Sequence, residues 1–368
     1  MKACTKDIVF INNTVAPYRI PLFNKIKDLF AENDLNMKAV FLCEKETVRK
    51  WSVDYDSINF DYEILPNIYQ RRNKSTTTSD TIINSGFGKY CFSHIVVLFG
   101  YNYLTYLLIM FFRTILLKKT ILFCESTLSD KPRISGAKHK LKCILLKSFF
   151  SSYIVPGLES KKFLESYNIN PNKITIAENA IAPFVHDNNE QHSENERLNE
   201  DYINILYVGR LAKEKNLAFI LNNIPQNSGF NYRVIIVGSG PEEAKLKNIE
   251  TTSLVEFKGY QEGVELAKTF NESDIFILPS SSEPWGLVVN EAINSGLAIL
   301  VSNKVGCRHE LVTDNGQVFE LNNHIDFCEK LHNISMQLST YKANSLKKTK
   351  RITIDNQAHK MCKAITNV

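Results

Sequence analysis

The sequence of 368 residues predicts an α/β protein with two doubly wound, parallel-sheet domains. Short, continuously apolar runs alternate with helix-like runs along the chain, which is typical of parallel sheets covered by helices on both faces. A polar stretch over 187–200 interrupts this alternation as a linker or loop, and the same pattern restarts after it. A hydrophobic content of 44% and a charged content of 23% are ordinary for a globular protein and exclude a disordered chain.

The first predicted domain covers 1–186. Its first helix begins near Pro21, because proline is favoured in the first turn of a helix. Its predicted strands are all short apolar runs: Ile8–Asn12, Met37–Leu42, His94–Phe99, Thr120–Cys124 and Tyr153–Val155.

The segment Ile95–Phe112 has 18 residues without a charge, which is the lower limit for a membrane-spanning helix. Gly100 and Asn102 interrupt its apolar character. We therefore predict a strand that ends at Phe99, followed by a helix over about 103–119 that Asn102 caps. A transmembrane helix is the alternative.

The first half of the chain is basic, with a net charge of +9 over 1–186, whereas the rest carries a net charge of −4. Within it, Ser135–Phe150 has the pattern of a basic amphipathic helix. Such a half can face nucleic acid, phospholipid headgroups or a lipid diphosphate, and it can equally be a solvated surface. Aromatic residues are too sparse here for a single-strand nucleic-acid surface, so we expect an anionic membrane and no nucleic acid as partner.

The second predicted domain covers 201–345, and a helical tail over 346–368 is predicted to pack back on the first domain. The eight cysteines form no CxxC pair and no secretory signal is visible, so we expect reduced thiols, no zinc site and a cytoplasmic location. The predicted strands of this domain are Ile203–Val208, Tyr232–Val237, Val255–Phe257, Ile275–Pro279 and Ala298–Ser302.

Three loops follow strands of the second domain, at the edge where open parallel sheets bind ligands. In the first loop, Gly209 lets the chain turn out of its strand, and Arg210 and Lys215 can converge on a diphosphate. A helix that begins near Asn216 would point its positive N-terminus the same way. Taken alone, this stretch is also compatible with a solvated loop.

The second loop, Val237–Glu243, superficially resembles the dinucleotide-binding pattern GxGxxG. Glu243 occupies the third glycine position, where its negative charge would face a pyrophosphate. Pro241 in the first turn of a helix would explain the two glycines of the loop without a dinucleotide, and we predict no NAD site.

The third loop carries two carboxylates eight positions apart, Glu283 and Glu291. Glu291 falls one to two turns into a predicted helix and can accept hydrogen bonds from a ribose diol, whereas Glu283 precedes the helix and lies nearer the sugar. The first turn of that helix can cradle a phosphate through the amides of Trp285, Gly286, Leu287 and Val288. The alternative is an ordinary helix start with an incidental acidic residue.

Together these residues resemble the retaining glycosyltransferases of the GT-B fold, family 4, also described as glycosyl transferases group 1. The resemblance covers the whole chain and is most specific over 204–312. In the first half, the stretch Asn13–Phe23 is similar to enzymes that build bacterial surface polysaccharides. The other residues that carry the resemblance are Gly209, Arg210, Lys215, Asn216, Glu283, Glu291, Val305–Val312, Asp314–Gly316, Arg49, Trp51, Gly100–Asn102 and Glu178–Ala180.

The resemblance implies two Rossmann-like domains that face a cleft. The second domain would bind a nucleotide-diphosphate sugar, with Arg210, Lys215 and Glu283 acting on it and with Lys258 and Gln261 near the base. No metal or other cofactor would be required, and the departing phosphate would serve as base in a front-face attack. The acceptor would be a glycan, such as an undecaprenyl-diphosphate-linked intermediate of O-antigen, capsule or exopolysaccharide synthesis, at the inner face of the cytoplasmic membrane.

On the acceptor side the resemblance implies roles for residues of the first half. Many relatives place a histidine after the strand at 120–124, where this chain has Glu125. The candidate acceptor-side residues are Pro17, Arg19, Tyr101, Asn102 and Glu125.

Three other functions stay open. Asp54-Tyr55-Asp56 spells the DxD of metal-dependent glycosyltransferases, and loss of activity on chelation would support that alternative. A nucleotide-sugar epimerase would form product without an acceptor. A non-catalytic subunit that docks to membranes or nucleic acid would bind anionic vesicles or nucleic acid without turnover.

Overall fold

The structure, a computed structural model, describes residues 6–45, 51–71, 81–130, 135–183, 202–226, 229–251 and 253–368. The chain divides into two compact units. The first unit is Met1–Ala182 together with Ile354–Val368, and the second is Pro183–Thr353. The predicted linker over 187–200 and Arg49 lie outside the described residues.

The first unit is built on a seven-stranded parallel sheet and a separate antiparallel pair. Its strands are β1 (Lys6–Thr14), β2 (Leu35–Cys43), β3 (Asp61–Ile64), β4 (Asn67–Arg71), β5 (Thr81–Asn84), β6 (Ile95–Leu98), β7 (Lys119–Phe123), β8 (Ser152–Val155) and β9 (Ile174–Ile176). The order of the large sheet is β3-β2-β1-β6-β7-β8-β9, and β4 pairs with β5. Helices α1 (Ile20–Ala31), α2 (Leu104–Ile115), α3 (Gly136–Phe149) and α4 (Leu158–Glu165) connect the strands.

The second unit repeats this plan with a six-stranded parallel sheet. Its strands are β10 (Ile203–Val208), β11 (Tyr232–Val237), β12 (Leu254–Gly259), β13 (Ile275–Leu278), β14 (Ala298–Ser302) and β15 (Gly316–Phe319), in the order β12-β11-β10-β13-β14-β15. Its helices are α5 (Leu217–Asn223), α6 (Glu243–Lys247), α7 (Gly263–Asn271), α8 (Leu287–Asn294), α9 (Arg308–Leu311), α10 (His324–Met336) and α11 (Leu338–Lys348). Short 3₁₀ helices lie at Pro17–Arg19, Phe87–Phe92, Pro171–Lys173 and Lys213–Lys215.

The last helix, α12 (Ile354–Thr366), belongs to the first unit and packs on α1. Its apolar side chains Ala358, Met361 and Ile365 are fully buried in the core on that side of the sheet. The sequence boundary drawn between 345 and 346 falls inside α11, and the chain changes unit between Thr353 and Ile354.

The two faces of the first sheet have separate cores. Alternate residues of β1 divide between them: Phe10 packs on the α1 side with Phe23, and Ile11 packs on the opposite side with Tyr106 of α2 and Leu146 of α3. This alternation follows from the two-residue repeat of a strand that is buried on both faces. Helices α2 and α3 therefore cover the same face of the sheet.

The long apolar segment of the first unit forms β6 and α2, as the strand–turn–helix prediction expected. The predicted cap is wrong, because Tyr103 and not Asn102 precedes the helix, and no side chain caps its first amides. The helix also ends earlier than predicted, at Ile115. Among the residues that the structure describes, no helix is long and apolar enough to span a membrane.

Candidate functional site

The order of the second sheet reverses between β10 and β13, which are neighbours in the sheet although strands β11 and β12 lie between them in the chain. Open α/β sheets bind ligands at the carboxyl ends of strands beside such a switch point. The loops that leave β10 and β13 carry Arg210, Lys215 and Glu283. The sheet topology therefore brings together charged residues that lie about 70 positions apart in the sequence.

Two ion pairs occupy this edge of the sheet. The guanidinium of Arg210 pairs with Glu214, one turn further along the same loop, and both side chains are about one-third exposed. The ammonium of Lys215 pairs across the two loops with the carboxylate of Glu283, and this pair is more deeply buried. The Tyr207 hydroxyl donates a hydrogen bond to the Arg210 carbonyl at 2.9 Å and fixes the start of the loop.

Backbone contacts hold the two loops together. The Ser281 amide donates to the Glu214 carbonyl at 2.8 Å, and the Ser281 hydroxyl donates to the same oxygen at 3.1 Å. Ser281 thereby fixes the loop after β13 against the loop after β10. The Lys215–Glu283 pair lies close to this anchor in both loops.

Helix α8 begins at Leu287, directly after Gly286, whose φ of 95° lies in the left-handed region that glycine adopts most easily. Trp285 is buried, and its indole donates a hydrogen bond to Asn290 at 3.1 Å. The amides of Leu287 and Val288 lie in the first turn, where no carbonyl four residues back within the helix can accept from them. This turn offers amide donors and a positive helix end to an anion.

Glu291 lies in the second turn of α8 and is half-buried. Within the described residues, no side chain forms a hydrogen bond or an ion pair with its carboxyl group. Burial raises the pKa of Glu291 to about 7. The side chain is therefore an uncompensated acid, held where a polyhydroxylated ligand could donate hydrogen bonds to it.

Replacing Glu291 with glutamine is expected to stabilise the fold at pH 8 by about 1–3 kcal/mol. The pKa is raised on folding, so the native state loses stability as pH rises from about 4.5, the value of an ordinary glutamate, through about 7. Glutamine resembles the neutral form, and its advantage should shrink steadily from pH 8 to pH 5. Melting temperatures across this range test the sign. The exposed Glu329→Gln on α10 serves as control, and an advantage independent of pH would contradict the assignment.

A third segment, after β14, fixes the position of Glu283. Glu283 forms a parallel bridge with Val305, and the Gly306 amide donates to the Glu283 carbonyl at 2.8 Å. A Cβ on Gly306 would lie 1.8 Å from the Pro284 carbonyl oxygen, so only glycine allows this approach. Sequence reasoning used Gly306 only as part of a family resemblance and missed this role, because the contact joins loops that follow different strands.

The loop after β11 needs Gly238 and Gly240 for a different reason from the predicted one, which was Pro241 in the first turn of a helix. Pro241 lies in a turn before α6, which begins only at Glu243, so the proline is not in the first helical turn. A Cβ on Gly238 would lie 1.9 Å from the Gly209 carbonyl oxygen, and one on Gly240 would lie 2.2 Å from the Leu211 carbonyl oxygen. Close packing of this loop on the loop after β10 requires both glycines.

The two residues predicted near a base lie at the end of β12. The Lys258 ammonium is 3.5 Å from the Glu272 carboxylate, and the Gln261 side-chain carbonyl accepts from the Thr269 hydroxyl at 2.9 Å. Each side chain is thus held by a residue in or next to α7.

In the first unit, Arg19 and Glu125 meet at the carboxyl end of the sheet. Arg19 is buried against the Phe99 ring, 4.4 Å from its centroid, and its guanidinium lies 3.2 Å from the Glu125 carboxylate. The Asn179 side chain donates to Glu125 at 2.8 Å and accepts from Gln357 of α12 at 3.0 Å. Glu125 is thus held from two sides while about one-third of its side chain stays exposed.

The other acceptor-side candidates are placed differently. Pro17 starts the 3₁₀ helix that leads to Arg19. Tyr101 is buried, and burial raises its pKa far above the ordinary value, whereas Asn102 is exposed. In the turn at Asp54–Asp56, the Asp56 amide donates to the Asp54 carboxylate at 3.1 Å and the Ser57 hydroxyl donates to the Asp54 carbonyl at 2.7 Å. No group of three or more metal-ligating side chains occurs among the residues with described positions.

Comparison with known proteins adds independent observations. Residues 188–349 match the model of the family "Glycosyl transferases group 1". A sulfoquinovosyl transferase of Arabidopsis thaliana is 32% identical over 105 residues, which are 28% of this chain and 20% of that protein. The O-antigen biosynthesis glycosyltransferase WbnH of Escherichia coli is 28% identical over 210 residues, which are 56% of each chain. The alignments therefore span only part of these relatives.

Solved structures also match nearly the whole chain. The lipopolysaccharide outer core galactosyltransferase WaaB has a TM-score of 0.69 at 14% identity, over 98% of this chain and 99% of that one. HepE of Anabaena, in complex with UDP and glucose, has a TM-score of 0.69 at 11% identity, over 99% and 100% of the two chains. With the two parallel-sheet units, these matches show that the protein has the GT-B fold.

Proposed function

We propose that this protein is a group 1 glycosyltransferase of family 4 that moves a sugar from a nucleotide-diphosphate sugar to a glycan acceptor. The observation that carries the proposal is the meeting of Arg210, Lys215 and Glu283 at the switch point of the second sheet, beside the first turn of α8. The family match over 188–349 covers this same unit and supports the proposal.

The donor fits the second unit group by group. Arg210 and Lys215 would bind the diphosphate together with the amides over 285–288, because cations and a helix N-terminus both favour phosphate. Glu291 would accept hydrogen bonds from the ribose diol, and its lack of a described partner suits that role. Gly209 would let the diphosphate approach the backbone, and Lys258 and Gln261 would lie towards the base.

Donor binding would change the ion pairs at this edge. A diphosphate competes with Glu214 for Arg210 and with Glu283 for Lys215, since it carries more charge than either carboxylate. Released from Lys215, Glu283 can accept hydrogen bonds from the hydroxyls of the transferred sugar. The carboxylates thus keep the two cations in place until the donor arrives.

The chemistry we propose is retaining transfer without a metal ion. The bond between the anomeric carbon and the phosphate oxygen breaks while the acceptor oxygen bonds to the same face of that carbon. The acceptor hydroxyl gives its proton to the departing phosphate. Arg210, Lys215 and the α8 amides would stabilise the charge that builds on this diphosphate. Full activity in the presence of a chelator would support metal independence.

The acceptor we propose is a lipid-linked glycan of O-antigen, capsule or exopolysaccharide synthesis, bound by the first unit and reached from the cytoplasmic face of the membrane. Support comes from WbnH, which is described as an O-antigen biosynthesis enzyme, and from WaaB, which is described as a lipopolysaccharide galactosyltransferase. Glu125 would contact the acceptor hydroxyl, because Arg19 and Asn179 orient its carboxylate.

A thermal-shift screen of UDP-, GDP- and dTDP-sugars tests the donor. A donor at a concentration of about 100 Kd should stabilise the fold by about 2.7 kcal/mol and raise the melting temperature by several degrees. The sugar that stabilises the protein is then incubated without an acceptor, and a changed sugar would point to an epimerase. If no nucleotide sugar raises the melting temperature, the proposed function is wrong.

A further inference from the structure

The outward face of α2 is apolar from its first turn to its last. Tyr106, Ile109 and Met110 point inward and are fully buried. The opposite side chains recur at helical spacing and are each more than one-third exposed: Leu104, Leu107, Phe111, Phe112, Ile115 and, just past the helix, Leu116 and Leu117. Soluble proteins rarely leave such a continuous apolar stripe uncovered unless it binds a partner.

Helix α2 is held firmly against the rest of the unit. Arg113, on its inner face, is fully buried and donates hydrogen bonds to the carbonyls of Tyr90, Cys91 and Ser93 at 2.9–3.2 Å. It also donates to the Thr120 hydroxyl on β7 at 3.0 Å. The apolar stripe is therefore presented by a fixed helix.

Helix α3 lies beside α2 on the same face of the sheet and adds positive charge. Leu141 and Ile144 are 67% and 60% exposed. Three exposed lysines accompany them on this helix: Lys138, Lys140 and Lys147. Neither α2 nor α3 contains an acidic residue. The two helices thus combine exposed apolar side chains with a positive rim.

Leu117 is a second indication that this surface binds something outside the protein. It is 91% exposed and has a φ of 52°, in the left-handed region where glycine is favoured after a helix. Among the residues that the structure describes, this leucine gains little from packing, and its left-handed backbone costs conformational free energy. Its presence is explained if its side chain inserts into an apolar medium outside the protein.

We propose that α2 and α3 dock this protein onto an anionic lipid bilayer. The apolar stripe and Leu117 would enter the boundary between headgroups and acyl chains, and the α3 lysines would contact the lipid phosphates. A second copy of the chain fits less well, because a two-fold interface would bring the lysines of both copies together. The inference concerns the first unit and does not depend on the proposed transferase activity.

Flotation of the purified protein with vesicles tests the surface. We expect binding to vesicles with 30% phosphatidylglycerol, about tenfold weaker binding to phosphatidylcholine alone, and weakening by high salt. Phe111→Glu and Ile144→Glu should each lower the binding constant by roughly tenfold or more. The matched controls are Val264→Glu and Ile325→Glu, since these side chains of the second unit are 81% and 67% exposed. Equal binding of all four variants would overturn the proposal.

Leu117→Gly separates docking from folding. Glycine relieves the left-handed backbone, so the melting temperature should stay the same or rise while vesicle binding falls several-fold. Sedimentation velocity of the wild type and of Phe111→Glu identifies self-association. A wild-type dimer that this substitution separates, with no vesicle binding by either protein, would show that a second copy covers the face and would overturn the proposal. All these measurements omit nucleotide sugars, so they stand apart from the donor screen.

Discussion

Replacing Arg210 with alanine is expected to lower kcat/KM for sugar transfer by about 10²–10³-fold. Arg210 offers a planar fork of donors to a diphosphate whose charge grows as the sugar leaves, and alanine removes that stabilisation where it is needed most. The loss should fall mainly on kcat, because the charge is largest in the transition state. The fold should stay intact, since this ion pair is one-third exposed and such pairs contribute little to stability.

The matched control is Arg233→Ala on β11. Arg233 is 31% exposed and pairs with Glu256 at 2.6 Å, so it resembles Arg210 in exposure and partner but lies away from the switch-point loops. We expect its activity to stay within about twofold of the wild type. Equal losses in both variants would mean that the effect comes from a lost ion pair, and full activity of Arg210→Ala would remove Arg210 from the site.

Gly306→Ala is expected to destabilise the protein by about 3 kcal/mol and to weaken donor binding at the same time. The new Cβ would lie 1.8 Å from the Pro284 carbonyl oxygen and 3.1 Å from that of Glu283, so backbone must move. The displaced segment carries Glu283 and leads directly into α8. Chemical unfolding gives the stability, and titration with the donor found in the screen gives the affinity.

Gly88→Ala is the control for this substitution. Apart from its neighbours along the chain, no described residue has an atom within 4 Å of the position that its Cβ would take, so we expect a stability change within about 0.5 kcal/mol. If Gly306→Ala lost stability but bound the donor normally, the segment would be structural and Glu283 would not depend on it.

Much of the fold could be predicted because its central strands are apolar on both faces. Ile203–Val208, Tyr232–Val237 and Ala298–Ser302 have the bounds that the apolar runs predicted. Edge and short strands lack this signal. Strands β3, β9 and β15 were not predicted. Strand β3 has the exposed residues Asp61 and Tyr62, β9 is only three residues long, and β15 starts with a glycine. These three segments are strands because they pair with neighbouring strands of the sheet, and the local sequence does not reveal that pairing.

The sequence predicted which loops carry the candidate site but not which contacts their side chains form. Strand ends and charge types predicted that Arg210, Lys215 and Glu283 would lie at one edge of the sheet. Their present partners, and the support of Glu283 by Gly306, depend on distances between loops from different strands. The roles of all these residues in binding a donor stay predictions.

The return of α12 to the first unit has a consequence for synthesis on the ribosome. Residues 183–353 form an unbroken stretch, so the second unit can complete its core as soon as that stretch emerges. The first unit begins earlier but waits for Met361 and Ile365, which cover α1. The first unit therefore completes its core only after the second unit has been made, and the apolar α1 face stays uncovered until α12 emerges.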